Sequence, residues 1–328
     1  MTQLPCAAMT LIAIVGQTDA RQTACLLHTA LEGTSNTHPC TLHPEHPALR
    51  SAETLSTQLT RLSDQGVTHV ILVLDEAALR RNLCPHLRIS ITAPMGQGAT
   101  WDGFDALLTR TDMTVFDLDE SGQEDYVSST TFTYSENKTR ADLTARNLRL
   151  FPGHTEFEAV ATGRICRVHL PVCGGFAVYH ALCALSCGLC LGLELDEMAR
   201  LLRVAHGPAG CMEVLPIPAA YTVLLDQASD LHSLERVLTT ARSFTARRLV
   251  CLLNSNGGPM EELAGHLADH VLAFGNALVD RRQAIVRGLD RARPGDVLVL
   301  TGTDGGAEER AFIRACAHNC ALRRRRQP

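Results

Sequence analysis

The chain of 328 residues reads as α/β, with mostly parallel sheets divided between two domains of unequal size. Three observations predict this. Continuous apolar runs such as Thr68–Asp75 have the character of strands buried on both faces. These runs alternate with stretches of helical period. The rhythm pauses at Gly207-Pro208-Ala209-Gly210, a turn-rich linker, and then restarts. The predicted division is therefore 1–206 and 207–328.

In the first part, strands are predicted near 9–16, 68–75, 88–93 and 113–118, with a helix near 51–65 before the second of them. Val127–Tyr134 reads as a Thr-rich strand with one wet face. Ala141–Leu150 and Ile165–Leu170 read as antiparallel strands, with turns between them at Gly153 and Gly163. Gly174-Gly175 opens a long apolar helix from Phe176 to Leu191, which Gly192 ends. A short helix follows at Leu195–Val204, with Asp196 and Glu197 in its first turn. Beyond the linker, strands at 221–226, 248–253, 270–274 and 296–301 alternate with helices at 231–245, 259–268, 279–292 and 306–321. That alternation makes a small doubly wound domain.

Composition removes several functional classes. Net charge is −5 and aromatics are 4%, so neither an electrostatic footprint nor a base-stacking surface for nucleic acid is expected. The run Arg323-Arg324-Arg325-Arg326 reads as a solvated end. No apolar stretch is long enough to span a bilayer, and Leu11–Val15 is too short for a signal segment, so a cytoplasmic protein is expected. In that compartment the 13 cysteines should be reduced. Cys183, Cys187 and Cys190 fall on one helical stripe, with Cys173 just before it. They could form a metal or redox site, but zinc ligands usually come from knuckles and turns, and a stripe of small buried core residues is the plainer reading. Cys316 and Cys320 are read in the same way.

The most informative segment is 9–31: an apolar strand, a turn beginning at Gly16, then an amphipathic helix. This is the place of a phosphate-binding loop, which needs a further glycine, a Lys for the β- and γ-phosphates and a hydroxyl for Mg²⁺. Thr18 can supply a hydroxyl, but Asp19 and Ala20 stand where Gly-Lys is expected. Asp19 repels phosphate, and Arg21 is the nearby cation.

Residues 141–213 resemble the Mur ligase family, and within it the E-type ligases that act on a UDP-N-acetylmuramoyl-dipeptide. Those enzymes carry Gly-x-Phe-Asn-x-x-Asn-x-x-Ala at a helix start, Leu-Gly after that helix, then Pro-Gly-Arg-Met-Glu. Here Gly174-Gly175-Phe176-Ala177-Val178-Tyr179-His180 is followed by Leu191-Gly192 and by Gly210-Cys211-Met212-Glu213. Asp280-Arg281-Arg282-Gln283-Ala284-Ile285 is similar to the family's Asp-Arg-x-x-Ala-Ile, and Val297–Gly302 to its last strand. The likeness runs from about residue 9 to 305. It implies a P-loop-type central domain followed by a smaller Rossmann-like doubly wound domain. By this resemblance the family's N-terminal domain, which helps hold the UDP end of the substrate, is expected to be missing.

No cofactor is certain from the residues; for an active ligase the resemblance implies ATP and Mg²⁺, because the family converts a carboxylate to an acyl phosphate before an amine displaces phosphate. Carried across by position, the nucleotide-binding candidates are Gly16, Thr18, Arg21, His180 and Asp226, and the metal candidates are Asp75 and Glu76. Each also has a structural reading, since strand-end acids are ordinary helix caps and a His at a helix start is commonly part of the packing. Most charged and amide-bearing positions of the family differ here. The two Asn of the helix motif are Ala177 and His180, and the Arg of Pro-Gly-Arg-Met-Glu is Cys211. Thr92–Gly98 has neither the Asn nor the His expected after the third strand. Trp101–Leu108 holds no Lys for a second metal. The segment that would recognise the incoming amino acid reads Phe274–Val279, and the final Gly-x-Gly-His-Glu reads Gly302–Gly306.

The expectation is a Mur ligase-like pseudoenzyme that binds a nucleotide, a UDP-muramoyl peptide or a protein partner. Two alternatives stand beside it. One is an active ATP-dependent acid–amino-acid ligase using Arg21, Asp75, Glu76 and His180. The other is a cysteine-based metal or redox protein using Cys173, Cys183, Cys187 and Cys190.

Overall fold

A computed structural model describes residues 9–83, 85–120, 130–255, 257–275, 278–302 and 306–325. The fold is mixed α/β. Two compact units emerge: residues 1–149, 156–171 and 176–206 form one, and 150–155, 172–175 and 207–328 the other.

The first unit is built on a sheet in the order β2-β3-β1-β4-β5-β6-β7-β8-β9. Its strands are β1 (Thr10–Val15), β2 (Pro39–Leu42), β3 (His69–Leu74), β4 (Ile89–Pro94), β5 (Thr111–Asp117), β6 (Thr131–Ser135), β7 (Leu143–Phe151), β8 (His154–Ala161) and β9 (Arg164–Leu170). Pairing is parallel from β2 through to β7. The central strands β1 and β3 are the most apolar runs in the sequence, and apart from Thr10 and His69 all their residues are buried.

Helices α1 (Thr18–Glu32), α2 (Ala52–Asp64), α3 (Glu76–Arg80), α4 (Phe104–Leu108), α5 (Phe176–Cys190) and α6 (Leu195–Leu201) cover this sheet. Ser51 and Thr54 form a capping box at the start of α2, which explains why that helix begins where it does. Helix α5 is apolar all round because Ala177–Gly188 is buried almost throughout. Leu11, Ala13, Val15, Leu55, Leu59, Val70, Leu72 and Phe104 belong to one continuous core cluster. Gly103, ahead of α4, lies at φ +91°, and a Cβ there would stand 2.9 Å from the Leu79 carbonyl oxygen. Only glycine fits both demands.

The second unit carries β10 (Glu213–Leu215), β11 (Thr222–Leu225), β12 (Leu249–Asn254), β13 (His270–Phe274) and β14 (Val297–Leu300), with α7 (Leu231–Ser243), α8 (Pro259–Leu267), α9 (Leu278–Arg291) and α10 (Ala307–Arg325). The order is β10-β11-β14-β12-β13, parallel except for β10. Asp230 and Ser233 cap α7 reciprocally.

Three strands differ from the sequence reading. Strand β2 is four residues long, begins with Pro39 and pairs only at the sheet edge, where proline is tolerated. Strand β8 lies between Gly153 and Gly163. The two glycines therefore close successive hairpins, and the alternating burial of Thr155, Phe157 and Ala159 is the strand's signal. Strand β10 is a three-residue antiparallel edge. The Thr-rich strand starts at Thr131, and residues 127–129 of its expected span lie outside the described residues.

Candidate functional site

Strand order fixes where a ligand crevice should lie in the first unit. From β1 the chain builds β2 and β3 to one side, then β4 and β5 to the other. The change of direction falls between β1 and β4, and the crevice outside their carboxyl ends is the usual ligand position in such sheets. Gly16 and Met95 follow these two strands. The Gly16 amide donates to the Leu74 carbonyl at 3.0 Å and the Met95 amide to the Val15 carbonyl at 2.8 Å. The space above Gly16 is tight, since a Cβ there would meet Ala20 Cβ, Met95 Cβ and Met95 O, each at 3.2 Å. Two hydroxyls hold the Met95 thioether: Thr23 Oγ1 donates to it at 3.7 Å and Tyr134 OH at 3.6 Å.

Helix α1 points its N-terminal end into this crevice. Gln17, its N-cap, places no side-chain hydrogen bond over the helix end. Thr18 is exposed at the first helical position. Asp19 lies in the first turn, where a carboxylate is favoured by the helix dipole. Its Oδ1 accepts from Nε2 of His180, 3.1 Å away on α5, and the His180 side chain is only 4% exposed. The fold brings these two residues together across 161 positions of chain. Arg21 is paired with Glu45, and that bond lowers the Glu45 carboxyl below its ordinary range.

Asp75 and Glu76 stand at the end of β3. Asp75 is the N-cap of α3 and its Oδ1 accepts from the Ala78 amide at 2.7 Å. Glu76 pairs with Arg80 one turn on, at 2.5 Å. Asp226 belongs to the second unit. Its two oxygens accept from the Met212 and Ala228 amides, both at 2.8 Å, and burial raises its carboxyl above the ordinary value. Cys173 Sγ donates to the Met212 carbonyl at 3.2 Å. Glu213 accepts from the Gly210 amide at 2.9 Å and from Arg310 at 2.8 Å. These contacts fasten the Gly210–Glu213 stretch within the second unit.

The end of β5 holds a group that the sequence reading missed. Asp117 is 5% exposed, and burial pushes its carboxyl up to about 7. Its Oδ1 accepts from the Asp119 amide at 2.8 Å. Asp119 accepts from Ser135 Oγ at 2.7 Å and from the Glu136 and Asn137 amides at 2.8 and 3.2 Å. Asn137 donates to Tyr179 OH at 3.3 Å. The available signal was an apolar strand ending in Asp117, Asp119 and Glu120, the same pattern that drew attention to Asp75 and Glu76.

On α5 the Cys183 and Cys187 side chains are fully buried, and a hydrogen bond with Cys183 together with burial holds the Cys187 thiol well above its ordinary value. Burial pushes Cys190 up to about 12. Among the described residues these thiols do not converge as a set of metal ligands. High thiol pKa values also oppose the thiolate form that metals and disulfide exchange require. Of the remaining positions singled out in the sequence, Asn276, Ala277, Thr303–Gly305 and Arg326 lie outside the described residues.

No family model matches the chain. In sequence it is 27% identical over 222 residues to the UDP-N-acetylmuramoyl-L-alanyl-D-glutamate–2,6-diaminopimelate ligase of Bacillus cereus, which covers 57% of this chain and 45% of that protein. It is 28% identical to the UDP-N-acetylmuramyl-tripeptide synthetase of Deinococcus radiodurans over 52% of this chain and 42% of that one. The matched segment thus spans less than half of these relatives' length. In structure, a UDP-N-acetylmuramoyl-L-alanyl-D-glutamate–2,6-diaminopimelate ligase superposes with a TM-score of 0.75 at 17% identity, over 95% of this chain and 78% of that one. The MurF ligase of Thermotoga maritima, solved with ADP, superposes at 0.70 and 14% identity, over 97% and 81%.

Proposed function

From a chain that is related to the peptidoglycan Mur ligases and shares their central and C-terminal fold, we infer a Mur ligase-like pseudoenzyme. It keeps the ligase scaffold, does not drive amide formation with ATP, and works by binding a nucleotide, a UDP-muramoyl peptide or a partner protein as a scaffold or regulator. The observation that carries this reading is the charge at the β1/β4 crevice. Phosphoryl transfer is catalysed almost wholly by position and by cationic charge around the phosphates. At the crevice the helix end instead presents the Asp19 carboxylate, and Arg21 pairs with Glu45 on the exposed surface.

Further support comes from the other candidates. The active-ligase alternative asks Asp75 to hold a metal, but Asp75 is engaged as a helix cap. It asks His180 to meet phosphate, but His180 meets Asp19. If Mg²⁺ and ATP do bind, the chemistry they would supply is activation of an acceptor carboxylate, and the chain's one lysine, Lys138, donates to the Leu118 carbonyl beyond the end of β5. The test is a turnover assay with ATP, Mg²⁺, a UDP-muramoyl peptide acceptor and a panel of amino acids. The reading predicts no acceptor-dependent phosphate release. Phosphate released in step with a new amide bond would overturn it.

A further inference from the structure

We propose that Asp19 is an internal anion that plugs the β1/β4 crevice, so that the cradle is occupied by the chain itself and not merely stripped of phosphate-binding groups. The proposal deepens the pseudoenzyme reading and rests on it for the loss of phosphate binding at the crevice. A stripped cradle and a plugged one differ physically. A stripped cradle has lost its attraction for phosphate and regains nothing when one side chain is removed. A plugged cradle keeps its backbone shape and is held shut by one carboxylate.

Four observations favour the plug. The carboxylate lies in the first turn of α1, a helix of 15 residues whose N-cap leaves the end uncovered by a side chain. The crevice is the switch point of the sheet, which is where strand order alone places a ligand. His180 is a polar side chain buried in the packing, aimed from α5 at the same spot, and its described partner is the Asp19 carboxylate at 3.1 Å. The walls still have the form of a close-fitting loop. Gly16 is held within 3.2 Å of its neighbours where a Cβ would begin, and Gly96, at φ +54°, leaves 3.9 Å between its own Cβ position and Asp19 Oδ2. The buried imidazole gives this carboxylate, in the first turn of the helix, a donor that an exogenous anion would otherwise take. An entering phosphate would have to displace that carboxylate and meet its charge at close range.

The experiment is calorimetric titration of the full chain with inorganic pyrophosphate. Wild type is compared with Asp19→Ala, Asp19→Asn and Asp19→Glu, and thermal unfolding confirms that each variant is folded. The plug predicts that the Ala and Asn variants bind pyrophosphate at least about tenfold more tightly than wild type, because His180 Nε2 is released to the ligand and a like charge at contact distance is removed. The Glu variant, which retains the charge, should gain nothing. Wild type binding as tightly as Asp19→Ala would overturn the proposal, as would folded Ala and Asn variants that gain no binding. Neither result bears on ligation, which the turnover assay reads separately.

Discussion

At the scale of single residues, Asp117 gives the sharpest prediction. Its carboxyl titrates at about 7 in the folded protein against an ordinary value of 3.8, because burial disfavours the charged form. Between those values the folded protein binds more protons than the unfolded chain, so stability falls as pH rises. The contribution is complete below about pH 4 and lost by about pH 7, and the shift corresponds to on the order of 4 kcal/mol. Chemical denaturation of wild type and Asp117→Asn across this window should show a difference in stability that changes with pH in that direction. A constant difference would contradict the assignment. Arg21 gives a contrasting prediction. Its bond to Glu45 joins side chains that are 36% and 66% exposed, so Arg21→Ala should change stability by less than about 1 kcal/mol. A larger loss in urea denaturation would mean that Arg21 supports more than this pair.

At the scale of elements, caps and glycines decide where helices begin. Asp75 caps α3, so Asp75→Ala should cost about 1 kcal/mol, with the same cost in the presence and absence of Mg²⁺. A stability difference that appears only with Mg²⁺ would restore Asp75 as a metal ligand. Gly103→Ala should cost more than about 1 kcal/mol, because it adds a Cβ at 2.9 Å from the Leu79 carbonyl oxygen in a left-handed backbone. Equal thermal midpoints for this pair would contradict the geometry. The elements most legible in the sequence were those whose burial is continuous, such as β1, β3 and α5, because a two-sided core leaves an unbroken apolar run. Strand β2 was illegible because a short edge strand beginning with proline needs only half-buried residues. The Asp19–His180 contact was illegible for a different reason. Each residue could be read as a local feature of a helix start, and only the packing of α1 with α5 joins them.

At the scale of the whole molecule, the chain carries a ligase scaffold in two units, each with its own mostly parallel sheet and core. The scaffold depends on glycines, apolar strands and capped helices, and these requirements are set by packing and backbone conformation. Catalysis asks for something separate: cationic charge, metal ligands and open donors at the carboxyl ends of the strands. In the first unit those ends present Asp19, Asp75 and Asp117, each held by a donor from the protein itself. This separation lets a fold persist when its reaction does not. The central claim is loss of the reaction, and the most direct measurement is phosphate release by the purified chain with ATP, Mg²⁺, a UDP-muramoyl peptide and amino acids. The account predicts a rate no different from that of a protein-free control. Acceptor-dependent release accompanied by a new amide product, and abolished by Arg21→Ala, would contradict it and establish the active-ligase alternative.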